Sequence, residues 1–163
     1  MVGVSADGGP SLQPVEPGYR HVLRARLLVL WLPLVIGGSI FARIMLAETP
    51  FFAPAVIALL VIAVLAVALA PQRIYRRLLY GLTDRQLQVL RGWLFHSDTI
   101  VPFVRVQHLD VTRGPLDKLF GTATLVVHTA GTRNSIVTVP GLAPQRAAEI
   151  RDIIRQQIRT DFA

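Results

Sequence analysis

Cysteine is absent from the 163 residues. That excludes a disulfide framework, a thiolate zinc site and a cysteine nucleophile, and it suits a reducing cytoplasmic compartment. Charge is sparse too: 17% of residues are charged against 52% hydrophobic, and the mean hydropathy is +0.50. Soluble domains rarely average so apolar, which points to a membrane class. Catalytic signatures are also missing. The chain has no G-x-S-x-G elbow, H-E-x-x-H pair, Walker loop or G-x-G-x-x-G turn, so it nominates no catalytic residue and no cofactor site. The four histidines, His21, His96, His108 and His128, are not at ligand spacing with one another and nominate no metal site. His108 and Asp110 share one face of a strand, which is ordinary strand geometry.

What is present begins with a Gly/Pro-rich stretch, residues 1–18, without apolar period. It reads as a disordered tail. A signal peptide is not indicated, because the basic residues begin only at Arg20 and no cleavage site follows a short apolar region. Leu27 to Ala47 and the charge-free run Phe51 to Ala70 are each about as long as the 20 residues that cross a bilayer core. Only Glu48-Thr49-Pro50 joins them, so residues 19–72 read as an antiparallel transmembrane hairpin with helices about 27–47 and 51–70. Gly38 with Ala42, and Ala66 with Ala70, are small-xxx-small pairs that permit close helix approach. Arg43 lies near the far end of the first run, within reach of the headgroups.

The formal charge of +7 and pI of about 11.2 are explained by position. Arg20, Arg24 and Arg26 precede the first run, and Arg73, Arg76 and Arg77 follow the second. These are membrane-flanking residues, and the positive-inside rule places both termini in the cytoplasm. Nucleic acid is not an expected partner; membrane lipid is, through attraction of those arginines to anionic headgroups.

After Pro71 the pattern changes to short strands with frequent turn signals. Leu87 and Val89 alternate with Gln86, Gln88 and Leu90; Leu109 and Val111 share a face; Ala123, Leu125 and Val127 alternate with Thr124, Val126 and His128. A last strand runs from Ser135 to Val139 and is stopped by Pro140-Gly141. Pro144 then opens a helix whose Ala147, Ile150, Ile153, Ile154 and Ile158 form one stripe. The segment RGPLDKLFG, Arg113 to Gly121, reads as a structural corner: a short helical turn with Leu116, Leu119 and Phe120 inward, and Gly121 where a side chain would clash.

An ordered set of motifs spans Tyr75 to Ile158. Tyr80-Gly81-Leu82-Thr83 leads to Gly92; Val101-Pro102 precedes Arg105-Val106-Gln107; Gly114-Pro115-Leu116 precedes Phe120-Gly121; Thr129-Ala130-Gly131 and Val139-Pro140-Gly141-Leu142 follow. This run resembles the bacterial pleckstrin-homology domain family in its YdbS-like membrane proteins. The resemblance implies an α+β membrane protein: a two-helix hairpin, then over residues 73–160 a bent antiparallel sheet or barrel of about seven strands, capped by the C-terminal helix. It implies structural roles for Gly92, Pro102, Gly114, Pro115, Phe120, Gly121, Gly131 and Gly141. It also implies no enzyme activity, and a partner that is a membrane protein, such as a larger one with several related domains, or another copy of the chain, with a role in envelope stress or defence. Eukaryotic pleckstrin-homology domains hold phosphoinositides with basic residues around the first hairpin. Here that hairpin, Leu82 to Leu87, offers Arg85 beside Asp84, so protein recognition is the leading expectation and lipid sensing the alternative.

Overall fold

The computed structural model describes residues 11–92, 96–130 and 136–161. The chain divides into two compact units: Arg20–Arg73, and a second unit that joins the residues up to Tyr19 to those from Ile74 onward.

The first unit is a helical hairpin. Helix α1 (Tyr19–Leu46) has 28 residues and α2 (Phe52–Arg76) has 25. Against the stretches expected at 27–47 and 51–70, each helix stops a residue short at the link but extends at its basic end, α1 back to Tyr19 and α2 on to Arg76. Arginine is a good helix former, and 28 residues at 1.5 Å each span about 42 Å, a bilayer with its headgroup zones. The most apolar windows average hydropathies of 2.0 and 2.9, and only 6% of each is buried. Such faces need an apolar solvent. Pro33 and Pro71 sit inside the helices. Gly38 lies at the helix contact, since a Cβ there would come 2.7 Å from Leu59 Cδ2, whereas Gly37 faces open space. Ala42 and Ala63 are buried. Arg43, in the last turn of α1, places its guanidinium carbon 5.9 Å from the Phe52 ring centroid, a cation–π contact at the turn end of the hairpin. The Thr49 N–H and hydroxyl both donate to the Leu46 carbonyl at 2.9 Å and close the link.

The second unit holds two antiparallel sheets. One has the order β1-β2-β3-β4 and the other β5-β6-β7. The strands are β1 (Gln13–Pro14), β2 (Leu79–Leu82), β3 (Gln86–Gly92), β4 (His96–Pro102), β5 (Val106–Thr112), β6 (Ala123–Thr129) and β7 (Ile136–Leu142). A short 3-10 turn, Phe103–Arg105, joins the sheets, and α3 (Pro115–Leu119) forms the corner before β6. The strand alternation behaves as expected: Leu87, Val89, Leu109, Ala123, Leu125 and Val127 are all buried. Helix α4 (Pro144–Asp161) packs on β5, β6 and the 3-10 turn. Its Ala147, Ile150 and Ile154 are fully buried, while Ile153 and Ile158 are half-buried at the margins of the stripe. Each fully buried aliphatic side chain contributes about 1.5–3 kcal/mol. No ladder joins β4 to β5 among the described residues.

Four expectations are corrected. Residues 11–18 are not part of a disordered tail: Gln13 pairs with Tyr80 and Pro14 with Leu79, the Glu16 N–H donates to the Gly141 carbonyl at 2.7 Å, and Val15 is 2% exposed. Two apolar residues, Val15 and Tyr19, suffice to seat a segment that the prolines and glycine leave without a period. The last strand is not stopped at Pro140-Gly141 but runs to Leu142. The Thr138 carbonyl turns outward to accept from Arg91, so Pro140, two residues on, falls where no N–H is required. A register shift opposite Ala123/Leu125 absorbs the irregularity. Leu119 does not pack inward; it is 73% exposed. Gly121 is needed for its φ of +67° rather than for space, because an added Cβ would meet nothing within 4 Å.

Candidate functional site

The corner between β5 and β6 is held by polar groups. Pro115 opens α3, and Asp117 at its third position turns back: Oδ2 accepts from the Gly114 N–H at 3.1 Å, and Oδ1 from the Thr122 hydroxyl at 2.8 Å. Asp117 and Thr122 are buried. A buried carboxylate is tolerable only when bonded in this way. Gly18 packs against this corner, since a Cβ there would lie 2.6 Å from the Phe120 carbonyl oxygen. The arrangement fixes the path of the chain from α3 into β6.

The strand edges offer main-chain groups. The outer edge of β2 is partly taken by β1. The β7 edge is blunted: Arg91 reaches the carbonyl and hydroxyl of Thr138, Pro140 lacks an N–H, and Glu16 occupies the Gly141 carbonyl. Among the described residues of the β unit the exposed large apolar side chains are Leu12 before β1, Ile100 on β4, Val104 in the 3-10 turn, Leu119 on α3 and Ile136 on β7, at 40%, 51%, 65%, 73% and 56%.

A cleft of about 250 Å³ lies between the end of α2 and the β3–β4 hairpin, lined by Arg76, Arg77, Arg91 and His96 with Asp98. Asp98 is already bonded to the Gln88 amide at 2.9 and 2.8 Å. The cleft can receive an anion of modest size. The β2–β3 turn by contrast is a compact backbone structure. Its Thr83 N–H and hydroxyl donate to the Gln86 carbonyl, and Arg85 is its one basic side chain.

The β5–β6 register sets His108 opposite His128. Both Nε2 atoms address Asp110, at 3.0 and 3.6 Å. The cluster is exposed, and the two imidazoles converge on a carboxylate rather than on a vacant point. Among the described residues no group of three ligand-type side chains is placed to hold a metal. On α4, Glu149 pairs with Arg146 at 2.7 Å and holds its guanidinium above the ordinary range. Arg151 holds the neighbouring Asp152 carboxyl below its own. The outer face of α4 is thus of mixed sign.

The membrane-flanking residues divide between the units. Arg20, Arg24 and Arg26 lie in the first turns of α1; Arg73 and Arg76 lie in the last turns of α2, and Arg77 follows it. Arg76 and Arg77 are the two that meet domain residues in the basic cleft. Of the motif residues, Gly92 ends β3, Pro102 precedes the 3-10 turn, Gly114 caps α3, Pro115 begins it and Phe120 ends it. Gly141 has φ +76°, and a Cβ there would come 2.5 Å from Tyr19 Cγ. Gly131 lies outside the described residues. Sequence reasoning missed Val15 and Tyr19 on the N-terminal segment and the buried Asp117. A Pro at the first helical position with Asp two residues on was the available signal for Asp117.

Comparison with known proteins now adds the following. The family model for the bacterial PH domain matches residues 27–158. Over 80 residues the chain is 36% identical to the UPF0699 transmembrane protein YdbS of Bacillus subtilis (strain 168), covering 49% of this chain and 48% of that protein. The chain thus spans about half the length of that curated relative. No solved structure matches.

Proposed function

Because the chain belongs to the bacterial PH domain family, we propose that it is a non-enzymatic membrane-anchored module that binds protein partners, or copies of itself, at the cytoplasmic face. One observation carries this reading. The exposed apolar residues Ile100, Val104, Leu119 and Ile136 belong to the β unit, whereas its β2–β3 turn bears a single basic residue beside Asp84. Apolar side chains left exposed on a domain outside the membrane-spanning helices suit protein contact. A phosphate pocket needs several charged donors. Tethering to one bilayer raises a partner's effective concentration, so a weak contact suffices. The test is photo-crosslinking from Val104 and Leu119 in native membranes, read by mass spectrometry. A discrete protein adduct is expected, and adducts with lipid alone would refute the reading.

The basic cleft favours a second reading, attraction to anionic lipid through Arg76, Arg77, Arg91 and His96. Under the leading reading, vesicle binding depends on charge, falls away with salt and shows no preference among headgroups of equal charge. Saturable, headgroup-selective binding that survives high salt would promote the lipid reading.

A further inference from the structure

The helical hairpin is not uniform along its length. Toward the link the helices touch: a Cβ on Gly38 would lie 2.7 Å from Leu59 Cδ2, and Ala42 is buried. Toward the arginine-flanked end they leave a groove of about 490 Å³. On α1 a stripe at helical spacing runs from Arg24 through Leu28, Trp31 and Leu32 to Val35. On α2 the facing wall runs from Ala68 back to Leu60 and includes the buried Ala63. The two alanines are where α2 gives up volume to the groove.

Three features specify an occupant. The first is charge: Arg24 is the one charged side chain of an otherwise apolar lining, and no acidic residue shares the groove with it. The second is where that charge sits. Helical side chains lean toward the N-terminus, which on α1 is the flanked end, so the guanidinium reaches toward the headgroups and leaves the apolar walls below it. The third is length. Arg24 to Val35 covers about 16 Å at 1.5 Å per residue, close to half of a hydrocarbon core of about 30 Å. A spanning helix of another protein would run on through the second leaflet, where the contact at Gly38 leaves it no groove. An acyl chain ends at the middle of the bilayer, as the groove does. A phospholipid of the flanked leaflet therefore matches all three features, with its phosphate at Arg24 and one chain along the walls. Basic pockets between membrane helices hold anionic headgroups in the same way.

We propose that this groove is a binding site for one anionic glycerophospholipid, held by its phosphate at Arg24 and by one acyl chain laid along Trp31, Val35 and Leu60. The proposal rests on the hairpin crossing the bilayer. It is independent of the protein-partner reading, which is tested from Val104 and Leu119 in the other unit.

The test counts the lipid that the purified full chain retains on release from detergent micelles, read by native mass spectrometry. The probe is palmitoyl-oleoyl phosphatidylglycerol, with phosphatidylcholine of the same chains as competitor. One phosphatidylglycerol per chain should be held in preference to the competitor. Arg24→Gln should lower its occupancy about tenfold, and Arg24→Lys should restore part of it. Ala68→Phe fills the groove from an exposed position and keeps the charge; it should lower occupancy as much. Arg73→Gln removes a flanking arginine that does not line the groove and should change little. Amide protection along α1 and α2 checks that each variant folds. Equal losses in Arg24→Gln and Arg73→Gln would reduce the effect to surface charge and overturn the proposal. Full retention in Ala68→Phe, or several lipids held with no preferred first one, would overturn it too. Leu32→Cys adds a unique thiol to the groove. Its disulfides between differently tagged copies in nanodiscs would make a second copy the occupant and the proposal wrong.

Discussion

Replacing Gly141 by alanine separates two costs that a glycine of positive φ can conceal. Gly141 has φ +76° and Gly121 has φ +67°, so an alanine at either pays the left-handed penalty of about 1–2 kcal/mol. Their surroundings differ. The Cβ at Gly121 meets nothing within 4 Å, whereas at Gly141 it comes 2.5, 2.7 and 3.0 Å from Cγ, Cβ and Cδ1 of Tyr19. Those are the root atoms of the tyrosine, not its flexible tip, so the ring must leave its seat. Unseating a side chain that is 5% exposed costs roughly 1.5–3 kcal/mol more. Gly141→Ala should therefore lose about 2.5–5 kcal/mol of local stability and Gly121→Ala about 1–2 kcal/mol. Hydrogen exchange on the full chain in nanodiscs reads this locally. Protection should fall first at the Glu16 amide, which donates to the Gly141 carbonyl, and then along β2. In a Tyr19→Gly background all three of those atoms are gone, and Gly141→Ala should cost only the backbone term. Equal costs for the two glycines, or the same cost for Gly141→Ala in both backgrounds, would refute the cradle.

Residues 74–163 alone should fold as a domain but lack the Val15 and Tyr19 contributions, a deficit of roughly 3–6 kcal/mol. Adding the peptide of residues 11–19 should raise the melting temperature in a saturable way, and a fragment with no cooperative transition and no response would count against the split domain. Asp117→Ala removes both acceptors for the Gly114 N–H and the buried Thr122 hydroxyl; chemical denaturation of that same domain should show a loss of about 2–4 kcal/mol, and a loss within 0.5 kcal/mol would sink the polar-corner account. Thr49→Cys places a unique thiol in the link between the helices. It should label from outside the cell only, and labelling from the cytoplasmic side alone would reverse the orientation drawn from the arginine flanks.

Periodicity made most of the β unit legible. Leu87 with Val89, and Ala123 with Leu125 and Val127, alternate cleanly because one side of each strand faces a core and the other faces water. The isoleucine stripe of α4 was legible for the same reason at the helical period. Where the reading failed, a single tertiary contact outweighed a local signal. Pro140 read as a strand terminator because its lack of an N–H is visible in sequence, whereas the outward turn set by Arg91 on Thr138 is not. Leu119 read as core because it is apolar in a helical turn, but the corner was already fixed by Asp117 and Thr122, leaving Leu119 free to face solvent. In the basic cleft, Arg76 and Arg77 were legible as flanks of a membrane run. Their meeting with Arg91 and His96 depends on the β3–β4 register, which no window of sequence reports.

The N-terminal strand bears on topology independently of charge. Gln13 and Pro14 precede α1, and their ladder partners Tyr80 and Leu79 follow α2. Main-chain hydrogen bonds cannot form across a bilayer, so the chain before the first helix and the chain after the second emerge on one side. With two helices of spanning length, that requirement is met if both cross or if neither does, and it is violated if one crosses alone. The exposure of both apolar faces excludes the soluble alternative on energetic grounds. Leu28, Leu30, Leu32 and Ile44 of α1 and Ile57, Ile62, Val64 and Leu65 of α2 are all more than a third exposed, and each would forgo about 1.5–3 kcal/mol if left in water. Two crossings satisfy both the ladder and the hydropathy, and that is the topology we propose. The arginine flanks are needed only to choose which side carries the domain.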